Sequence, residues 1–285
     1  MIPFEDTFLD ILKKACIGKG MSKRELAKLS HLNRHTLNEL FDGQNTEPTV
    51  IEKVCPYLDL NPQALNDHLY QKNVPNVIVI NGFKTFQSSF FYTDTDILKV
   101  NNYLLYDKNE GEAVLFDTGT EYKVVQKWLK TQNLKLKAIF ITHNHRDHVY
   151  CLKDFVQEQA NLPIYCSNKA DIKSNHTVFV EPKETISIGN FNIRPLETPG
   201  HTPDGITYQI NGLDKTIAVV GDALFAHSQG GIMHPEVYAK AIEINRKHIL
   251  SLDQKTIIAP GHGPLTTVEH EQKYNPFYAN FFTQT

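Results

Sequence analysis

The chain has 285 residues, of which 41% are hydrophobic and 21% are charged, a composition typical of a globular protein that buries its own core. A formal net charge of −3 excludes a strongly basic protein that binds polyanions over its whole surface. Four scattered cysteines without a CxxC pair exclude a disulfide scaffold and predict free thiols in a reducing compartment. The acidic start and the lack of a long apolar run predict a cytoplasmic protein with no membrane partner.

The first 72 residues have the pattern of an all-α region. Apolar residues recur at helical spacing from Phe8 to Cys16. Residues that favour the start of a helix, either as caps or as prolines in the first turn, then follow at intervals. They are Ser22, Asn33, Pro48 and Asn61-Pro62. The sequence therefore predicts a compact bundle of about five short helices over residues 1–72.

The pattern changes near residue 73, where short apolar runs begin to alternate with helical stretches. This alternation predicts a layered α/β or α+β domain over residues 73–285. The predicted strands are Val77–Ile80, Ser88–Tyr92, Asn102–Asp107, Ala113–Asp117, Ala138–Thr142, Ile164–Cys166, Ile206–Ile210 and Thr216–Gly221. The predicted helices between them are Glu121–Lys130, Asp147–Gln159 and Pro235–Leu250.

One short segment carries the strongest chemical signal in the chain. Directly after an apolar strand, six residues contain four potential metal ligands: His143, His145, Asp147 and His148. In an extended segment, side chains two residues apart point to the same side, so His143 and His145 can share one ion. The chain then turns into a helix, which lets Asp147 and His148 face a second ion nearby. Imidazole and carboxylate ligands suit zinc, and also iron or manganese.

Three further potential ligands follow downstream, each at a junction between a strand and a loop and beside a glycine. They are His201, Asp222 and His262. Such loops are where protein scaffolds display functional side chains. Together with the first segment, these residues predict a site for two divalent metal ions, with zinc as the first choice.

The ordered pattern HxHxDH, GH, D and GH resembles the metallo-β-lactamase superfamily over about residues 75–285. The resemblance implies a four-layer αββα sandwich with two metals at one edge. It also divides the ligands into a set for the first metal, a set for the second and a bridge: His143, His145 and His201; Asp147, His148 and His262; and Asp222. Asp117 resembles the acceptor that orients a ligand histidine in this superfamily. Its alternative role is that of a turn residue that closes a hairpin.

The ligand pattern implies a hydrolase that needs no serine nucleophile, and no GxSxG motif is present. Two cations about 3.5–4 Å apart can share a water and make it hydroxide near neutral pH. Asp147 and Asp222 are the predicted catalytic carboxylates. The hydroxide would attack a carbonyl or phosphoryl centre, and the metals would stabilise the oxyanion that develops.

The predicted substrate is a thioester. Residues 221–225 and the tail from Gly261 to Phe277 resemble the glyoxalase II-like branch, which implies an acylglutathione substrate. The thiol carrier stays open, because Tyr150-Cys151-Leu152 stands where that branch often has a glycine pair. His227 and His234 are weaker candidates for substrate contacts, with exposed loop histidines as the alternative.

Three other functions compete with thioester hydrolysis. A persulfide dioxygenase would use one iron held by His143, His201 and Asp222, a set of two histidines and one carboxylate with open positions. A lactonase would use the same ligands as the thioester hydrolase. A transcriptional regulator that senses a metal or a metabolite would retain the fold without needing catalysis.

Residues Met21–Leu60 resemble the Cro/repressor-like helix-turn-helix family, which implies DNA binding and a homodimer. The second helix of the pair would enter the major groove. The candidate DNA contacts comprise base-edge residues and then phosphate residues: Asn33, Arg34, His35 and Asn38; Lys23, Arg24 and Lys28. Against this, nine Lys/Arg and ten Asp/Glu give residues 1–72 a net charge of −1, whereas DNA-binding domains usually show a basic footprint. The alternative is a dimerisation or lid module.

Overall fold

A computed structural model describes residues 2–93, 97–182 and 184–282 of the chain. It begins with five helices, as the sequence predicts. They are α1 (Phe8–Gly18), α2 (Lys23–Leu29), α3 (Arg34–Phe41), α4 (Pro48–Leu58) and α5 (Pro62–Leu69). Within these described ranges, no helix is both long and apolar enough to cross a membrane.

Capping side chains determine where the N-terminal helices begin. Thr7 and Asp10 form a reciprocal capping box at the start of α1. The side-chain oxygens of Asn33 and Asn61 accept the backbone N–H groups three residues later, at 2.8 and 2.7 Å. At its other end α3 stops before Gly43, which takes a φ of 71° that other residues rarely adopt. Local chemistry thus accounts for most of the boundaries in this bundle.

Two six-stranded mixed sheets form the centre of the rest of the chain. Sheet A has the order β1-β2-β3-β4-β5-β6, and sheet B has the order β12-β11-β10-β9-β8-β7. The strands of sheet A are β1 (Phe83–Phe91), β2 (Ile97–Asp107), β3 (Glu112–Phe116), β4 (Lys135–Phe140), β5 (Ile164–Cys166) and β6 (Thr177–Phe179). Those of sheet B are β7 (Ile186–Ile188), β8 (Phe191–Glu197), β9 (Ile206–Asn211), β10 (Ile217–Gly221), β11 (Ile257–Pro260) and β12 (Thr266–Thr267).

Helices cover the outer face of each sheet. They are α6 (Tyr122–Thr131), α7 (Arg146–Val149), α8 (Leu152–Glu158), α9 (Pro235–His248), α10 (Val268–Tyr274) and a 3-10 turn (Ala279–Phe281). Three apolar clusters separate the layers. Phe140 and Tyr208 lie between the two sheets, Phe155 packs between sheet A and its helices, and Ile242 packs between sheet B and its helices. The predicted four-layer αββα sandwich is therefore confirmed.

The N-terminal helices pack against the outer side of sheet B and share its core. Leu12 and Ile51 belong to the same buried cluster as Leu224 and Tyr238. The contact is close, because a Cβ added at Gly18 would lie 2.2 Å from the ring of Tyr238. The predicted division near residue 73 falls in the irregular stretch between α5 and β1, and it stays a prediction.

Polar contacts fasten the segment before α1 to the loop that follows β10. The Asp6 carboxylate accepts from Lys14 Nζ and from Ser228 Oγ, each at 2.5 Å. Lys14 Nζ also donates to the Gln229 carbonyl at 2.8 Å. On the same loop, the Gly230 N–H donates to the Asp222 carbonyl at 3.0 Å. The loop is therefore held between α1 and the strand end that carries Asp222.

Some predicted elements are wrong. Val77–Ile80 is irregular rather than a strand, apart from a single bridge between Ile80 and Phe83. Ile78 and Ile80 pack against the core between the sheets, whereas Val77 and Val79 are 70% and 87% exposed. The predicted helix Asp147–Gln159 is two helices, α7 and α8, which are separated at Tyr150 and Cys151. The short strands β6, β7 and β12 were missed because two or three residues show no periodicity. The proline at position 195 obscured β8 in the same way.

Candidate metal centre

The seven predicted ligands converge at one edge of the two sheets. The strands β4, β10 and β11 end at this edge, and each is followed at once by candidate ligands. The loop between β8 and β9 adds one more. Because loops at the carboxyl ends of strands lie close together in layered α/β folds, ligands far apart in sequence can meet there. The residues that meet are His143, His145, Asp147, His148, His201, Asp222 and His262.

The first ligand set consists of His143, His145, His201 and Asp222, whose ligand atoms lie within 4.8 Å of one another. Nδ1 of His145 is 3.2 Å from Nε2 of His143 and 3.1 Å from Nε2 of His201. Tetrahedral zinc with bonds of about 2.0–2.1 Å to nitrogen would separate its ligands by about 3.3 Å. These spacings therefore fit one zinc-sized cation.

The second ligand set consists of Asp147, His148 and His262. Nε2 of His262 is 3.3 Å from Asp147 Oδ2, and Nε2 of His148 is 3.6 Å from the same oxygen. Asp222 also approaches this set, with Oδ1 3.3 Å from His148 Nε2 and Oδ2 3.4 Å from His262 Nε2. Since Oδ2 of Asp222 lies 3.4 Å from His201 Nε2 as well, this carboxylate faces both sets.

Two buried atoms indicate that the arrangement fits cations rather than a closed hydrogen-bond network. His148 Nε2 and Asp222 Oδ1 lie 3.3 Å apart, but neither forms a hydrogen bond of acceptable geometry within the described ranges. Leaving buried polar atoms unpaired costs about 1–3 kcal/mol each, and such atoms are rare. Burial opposes the ionisation of Asp222, but the neighbouring His262 and His148 outweigh it and hold its pKa well below the usual range. The carboxylate therefore stays ionised and available to a cation.

The outer nitrogens of three ligand histidines are fixed by acceptors. Asp117 Oδ2 lies 2.7 Å from Nδ1 of His148. Nδ1 of His201 lies 2.8 Å from the Gly231 carbonyl, and Nδ1 of His262 lies 2.8 Å from the Lys99 carbonyl. Each contact turns Nε2 towards the centre, as acceptors around metal-bound histidines commonly do. Asp117 also accepts from the Thr142 backbone N–H at 2.8 Å, so it is fixed itself.

Glycines let the backbone approach the centre closely. A Cβ at Gly261 would lie 2.2 Å from Asp222 Oδ1 and 2.6 Å from His148 Cε1. At Gly221, φ is +51° and a Cβ would lie 2.5 Å from Thr142 Oγ1. Any side chain at these positions would displace ligand or supporting groups, which explains why the ligands stand beside glycines.

One neighbour of the centre, Glu5, comes from the N-terminal segment and was not predicted from the sequence. Glu5 Oε1 lies 3.8 Å from Nδ1 of His262, and the Glu5 backbone N lies 3.2 Å from the position of a Cβ at Gly263. Burial raises the pKa of the Glu5 carboxyl. No local motif could have identified Glu5, since it lies 257 positions before His262 in the chain.

The two weaker substrate candidates lie apart from the seven ligands. His227 is fully buried rather than exposed, and its Nε2 faces Nε2 of His270 at 2.9 Å. His234 is an exposed residue at the start of α9, with its Nδ1 3.4 Å from Glu236 Oε1. His227 is buried because its loop is packed under the N-terminal segment, where Phe4 stacks on its ring. That packing is not visible in the sequence.

All seven candidate DNA contacts are exposed on α2, on α3 and on the cap residue between them: Lys23, Arg24, Lys28, Asn33, Arg34, His35 and Asn38. Lys23 lies 4.7 Å from the centre of the Phe41 ring. His35 lies 3.3 Å from Glu39 of the same helix. The N-terminal end of α3 is therefore free of the contact between the helical bundle and sheet B.

Two protein-family models match the chain, one over the part with the two sheets and one over the N-terminal helices. Residues 95–262 match the family model of the metallo-beta-lactamase superfamily. Residues 12–69 match the model of the Cro/C1-type HTH DNA-binding domain. The first match spans six of the seven ligand positions and ends on the seventh, His262.

Individual relatives match about two thirds of the chain. The probable metallo-hydrolase YqgX of Bacillus subtilis is 31% identical over 208 residues, which cover 65% of this chain and 94% of that protein. The hydroxyacylglutathione hydrolase GloC of Haemophilus influenzae is 28% identical over 198 residues, which cover 61% and 90%. The crystal structure of TTHA1623 in a di-iron-bound form is 26% identical, with a TM-score of 0.51, and the match covers 67% of this chain and 99% of that one.

Proposed function

This chain belongs to the metallo-beta-lactamase superfamily, and we propose from that premise that it is a hydrolase that works with two divalent cations. The observation that carries the proposal is the position of Asp222 between two adjoining ligand sets. His143, His145 and His201 would hold one cation, and Asp147, His148 and His262 would hold the other. When bound, the pair would supply a Lewis acid and a hydroxide near neutral pH.

The chain's own residues hold and orient this centre. Asp117, Gly231 and Lys99 accept from the outer ring nitrogens, so the Nε2 atoms of three histidines keep their directions without rearrangement during turnover. Asp222 and Asp147 supply the negative charge that balances the cations. His145 is the exposed member of the first set, so substrate would approach from its side.

We propose a thioester as the substrate class. Two features support this choice: the C-terminal tail resembles the glyoxalase II-like branch, and a relative 28% identical carries the name hydroxyacylglutathione hydrolase. Zinc is the first choice of metal because the ligand set suits it. Iron is supported by the similarity to a di-iron-bound structure. One iron per chain would instead favour the persulfide dioxygenase alternative, and lactones belong in the same substrate panel.

Replacing His145 by alanine is expected to abolish thioester hydrolysis, because it removes a nitrogen that faces both His143 and His201. Elemental mass spectrometry should show about two metal ions per chain in the unaltered protein and fewer in the variant. The matched control is His31→Asn, since His31 is exposed on the helical bundle and lies outside the ligand sets. Wild-type turnover in His145→Ala would mean that the centre is misassigned.

The N-terminal helices form a Cro/C1-type helix-turn-helix domain, and we propose that it binds DNA through α3. The exposure of all seven candidate contacts supports this role. The protein would then combine an enzyme with a DNA-binding module, or use the metal centre to sense a metabolite. The homodimer implied by the repressor resemblance stays a prediction.

Arg34→Ala is expected to weaken binding to promoter DNA upstream of the gene by about 5- to 150-fold, if the guanidinium reads a base edge at about 1–3 kcal/mol. A gel-shift series at low salt measures this effect. Arg194→Ala is the matched control, because Arg194 is an exposed arginine on β8 in the other domain. Equal binding by both variants, or the absence of salt-sensitive binding by the unaltered protein, would contradict a DNA-reading role for α3.

We also propose that the protein works in the reducing cytoplasm. All four cysteines, Cys16, Cys55, Cys151 and Cys166, are free and buried. Burial raises the pKa of the Cys166 thiol and of the Cys55 thiol to about 12, so neither is a ready nucleophile. These thiols pack as small apolar residues, which fits a compartment where disulfides do not form.

A further inference from the structure

A third cluster of potential ligands lies away from the two sets that share Asp222. It consists of His227, His270 and Glu271, whose ligand atoms lie within 4.8 Å of one another. His227 comes from the loop after β10, and the other two come from α10. His227 and Glu271 are fully buried, whereas His270 is partly exposed. The cluster lies under the N-terminal segment, whose Phe4 ring stacks on His227 with ring centres 4.5 Å apart.

The spacing of the two imidazoles matches that of the candidate dinuclear centre. Nε2 of His227 lies 2.9 Å from Nε2 of His270. In the first ligand set, nitrogens approach one another at 3.1 and 3.2 Å. A tetrahedral zinc ion would need about 3.3 Å between two such nitrogens. The required opening of about 0.4 Å is available because His270 is partly exposed on a short helix.

A hydrogen bond between two neutral rings would account for this distance alone, but not for the buried carboxylate beside it. Glu271 accepts from Thr266 Oγ1 at 2.7 Å, from Asn275 Nδ2 at 2.8 Å and from the His227 backbone N–H at 2.8 Å. All three donors are neutral, and among the residues described here Glu271 forms no ion pair. A buried carboxylate is costly unless a cation or strong donors compensate its charge. Burial raises the pKa of the Glu271 carboxyl to about 7, so without a cation a proton partly relieves its charge. A bound cation would compensate the charge of the ionised form.

The neutral state of the two imidazoles is the one that binds a cation. Burial, together with the neighbouring His270, lowers the pKa of His227 to about 3, so this imidazole is neutral near pH 7. Burial also lowers the pKa of His270. Metal ions bind neutral imidazole, so no proton has to leave either ring. His227 Nδ1 is itself buried and has no hydrogen-bond partner in the described part of the chain, although the Asn73 backbone near the ring partly offsets the fall in its pKa.

The backbone at His227 has an uncommon conformation. His227 has a φ of +60°, in the left-handed region that residues with side chains seldom adopt. The backbone of Asn73, in the stretch between α5 and β1, lies close to both imidazoles. The cluster therefore stands where the linker, the loop after β10 and α10 meet. A cation here would tie together segments that are far apart in the chain.

We propose that His227, His270 and Glu271 form a structural site for a third divalent cation of the zinc type. Two histidine nitrogens and one carboxylate are an ordinary zinc ligand set. A backbone carbonyl or water would complete the coordination, and the partly exposed His270 provides the path of entry. The site is independent of the proposed hydrolase function, because it shares no ligand with the sets around Asp222.

The test is the zinc content of the full-length protein after equilibration with zinc alone and removal of the excess. The unaltered protein is expected to hold about three ions per chain, and His270→Gln about two. His270→Cys, which restores a zinc ligand, is expected to return the third ion. His234→Gln is the matched control and should keep all three, since His234 belongs to none of the three clusters.

The outcomes separate this site from the dinuclear centre. A zinc content that is the same in the unaltered protein and in both His270 variants overturns the third site and leaves the dinuclear proposal standing. If His270→Gln loses one ion and His270→Cys does not, the third site is supported, even if thioester hydrolysis is never detected. Circular dichroism of His270→Gln shows whether the variant is folded, and the His270→Cys result decides the question if it is not.

Discussion

Asp222→Asn is expected to lower hydrolysis at least about 10³-fold and to reduce the metal content of both ligand sets. The change keeps the shape of the side chain and removes the charge that faces His148, His201 and His262. Changes to residues that merely support metal ligands cost about 10- to 100-fold. Replacing a residue that would face both proposed cations should cost more, and 10³-fold corresponds to about 4 kcal/mol of transition-state stabilisation.

The measurement for Asp222→Asn combines steady-state rates with metal content per chain. Asp214→Asn is the matched control, because Asp214 is exposed at the end of the β9–β10 hairpin and far from the ligand sets in the fold. If Asp222→Asn still binds two ions and loses less than tenfold in rate, Asp222 does not bridge. If Asp222→Asn loses a single ion, Asp222 binds only one of the two cations and does not bridge them.

Leu12→Ala is expected to lower the free energy of unfolding by about 2–5 kcal/mol, the usual cost of emptying a fully buried leucine site. Leu12 is completely buried in the cluster that joins the N-terminal helices to sheet B. Because this cluster is continuous, the whole chain should unfold in one transition. The single tryptophan, Trp128, lies on α6 at the opposite side of the sandwich, so its fluorescence reports on a distant layer.

The midpoint of chemical unfolding, followed by Trp128 fluorescence and by circular dichroism, measures the effect of Leu12→Ala. Both signals should shift together. Leu29→Ala is the matched control, since Leu29 belongs to the same helical bundle but is 38% exposed. If the tryptophan signal keeps its midpoint while helix is lost earlier, the helical bundle and the sandwich are separate folding units, and the shared core is energetically unimportant.

Local chemistry made the ligands predictable from the sequence. His143, His145, Asp147 and His148 lie within six residues, and the others stand beside glycines at the ends of apolar strands. The helix starts at Asn33 and Asn61 were predictable for the same reason, because a cap acts over three residues. The division of the seven ligands between two cations rests on the superfamily resemblance, and it stays a prediction.

Contacts between distant parts of the chain could not be predicted from the sequence. Val77–Ile80 has the pattern of a strand, yet it is irregular apart from the bridge between Ile80 and Phe83, and Val77 remains 70% exposed. Glu5 approaches His262, and His227 meets His270, only because the N-terminal segment folds over the loop after β10. No spacing rule relates residues separated by this much chain. The sequence likewise does not show that His227 is buried.

The loop between Asp222 and Gly231 belongs to the candidate metal centre and also contacts the N-terminal helical region. On one side it carries Asp222 and the carbonyl that orients His201, and on the other it contacts Lys14 and Asp6 of the N-terminal helical region. Free-energy coupling through a shared element is reciprocal: if metal binding changes DNA affinity by some factor, DNA changes metal affinity by the same factor. The helices of this protein therefore cannot respond to its metal centre without the centre responding equally to them.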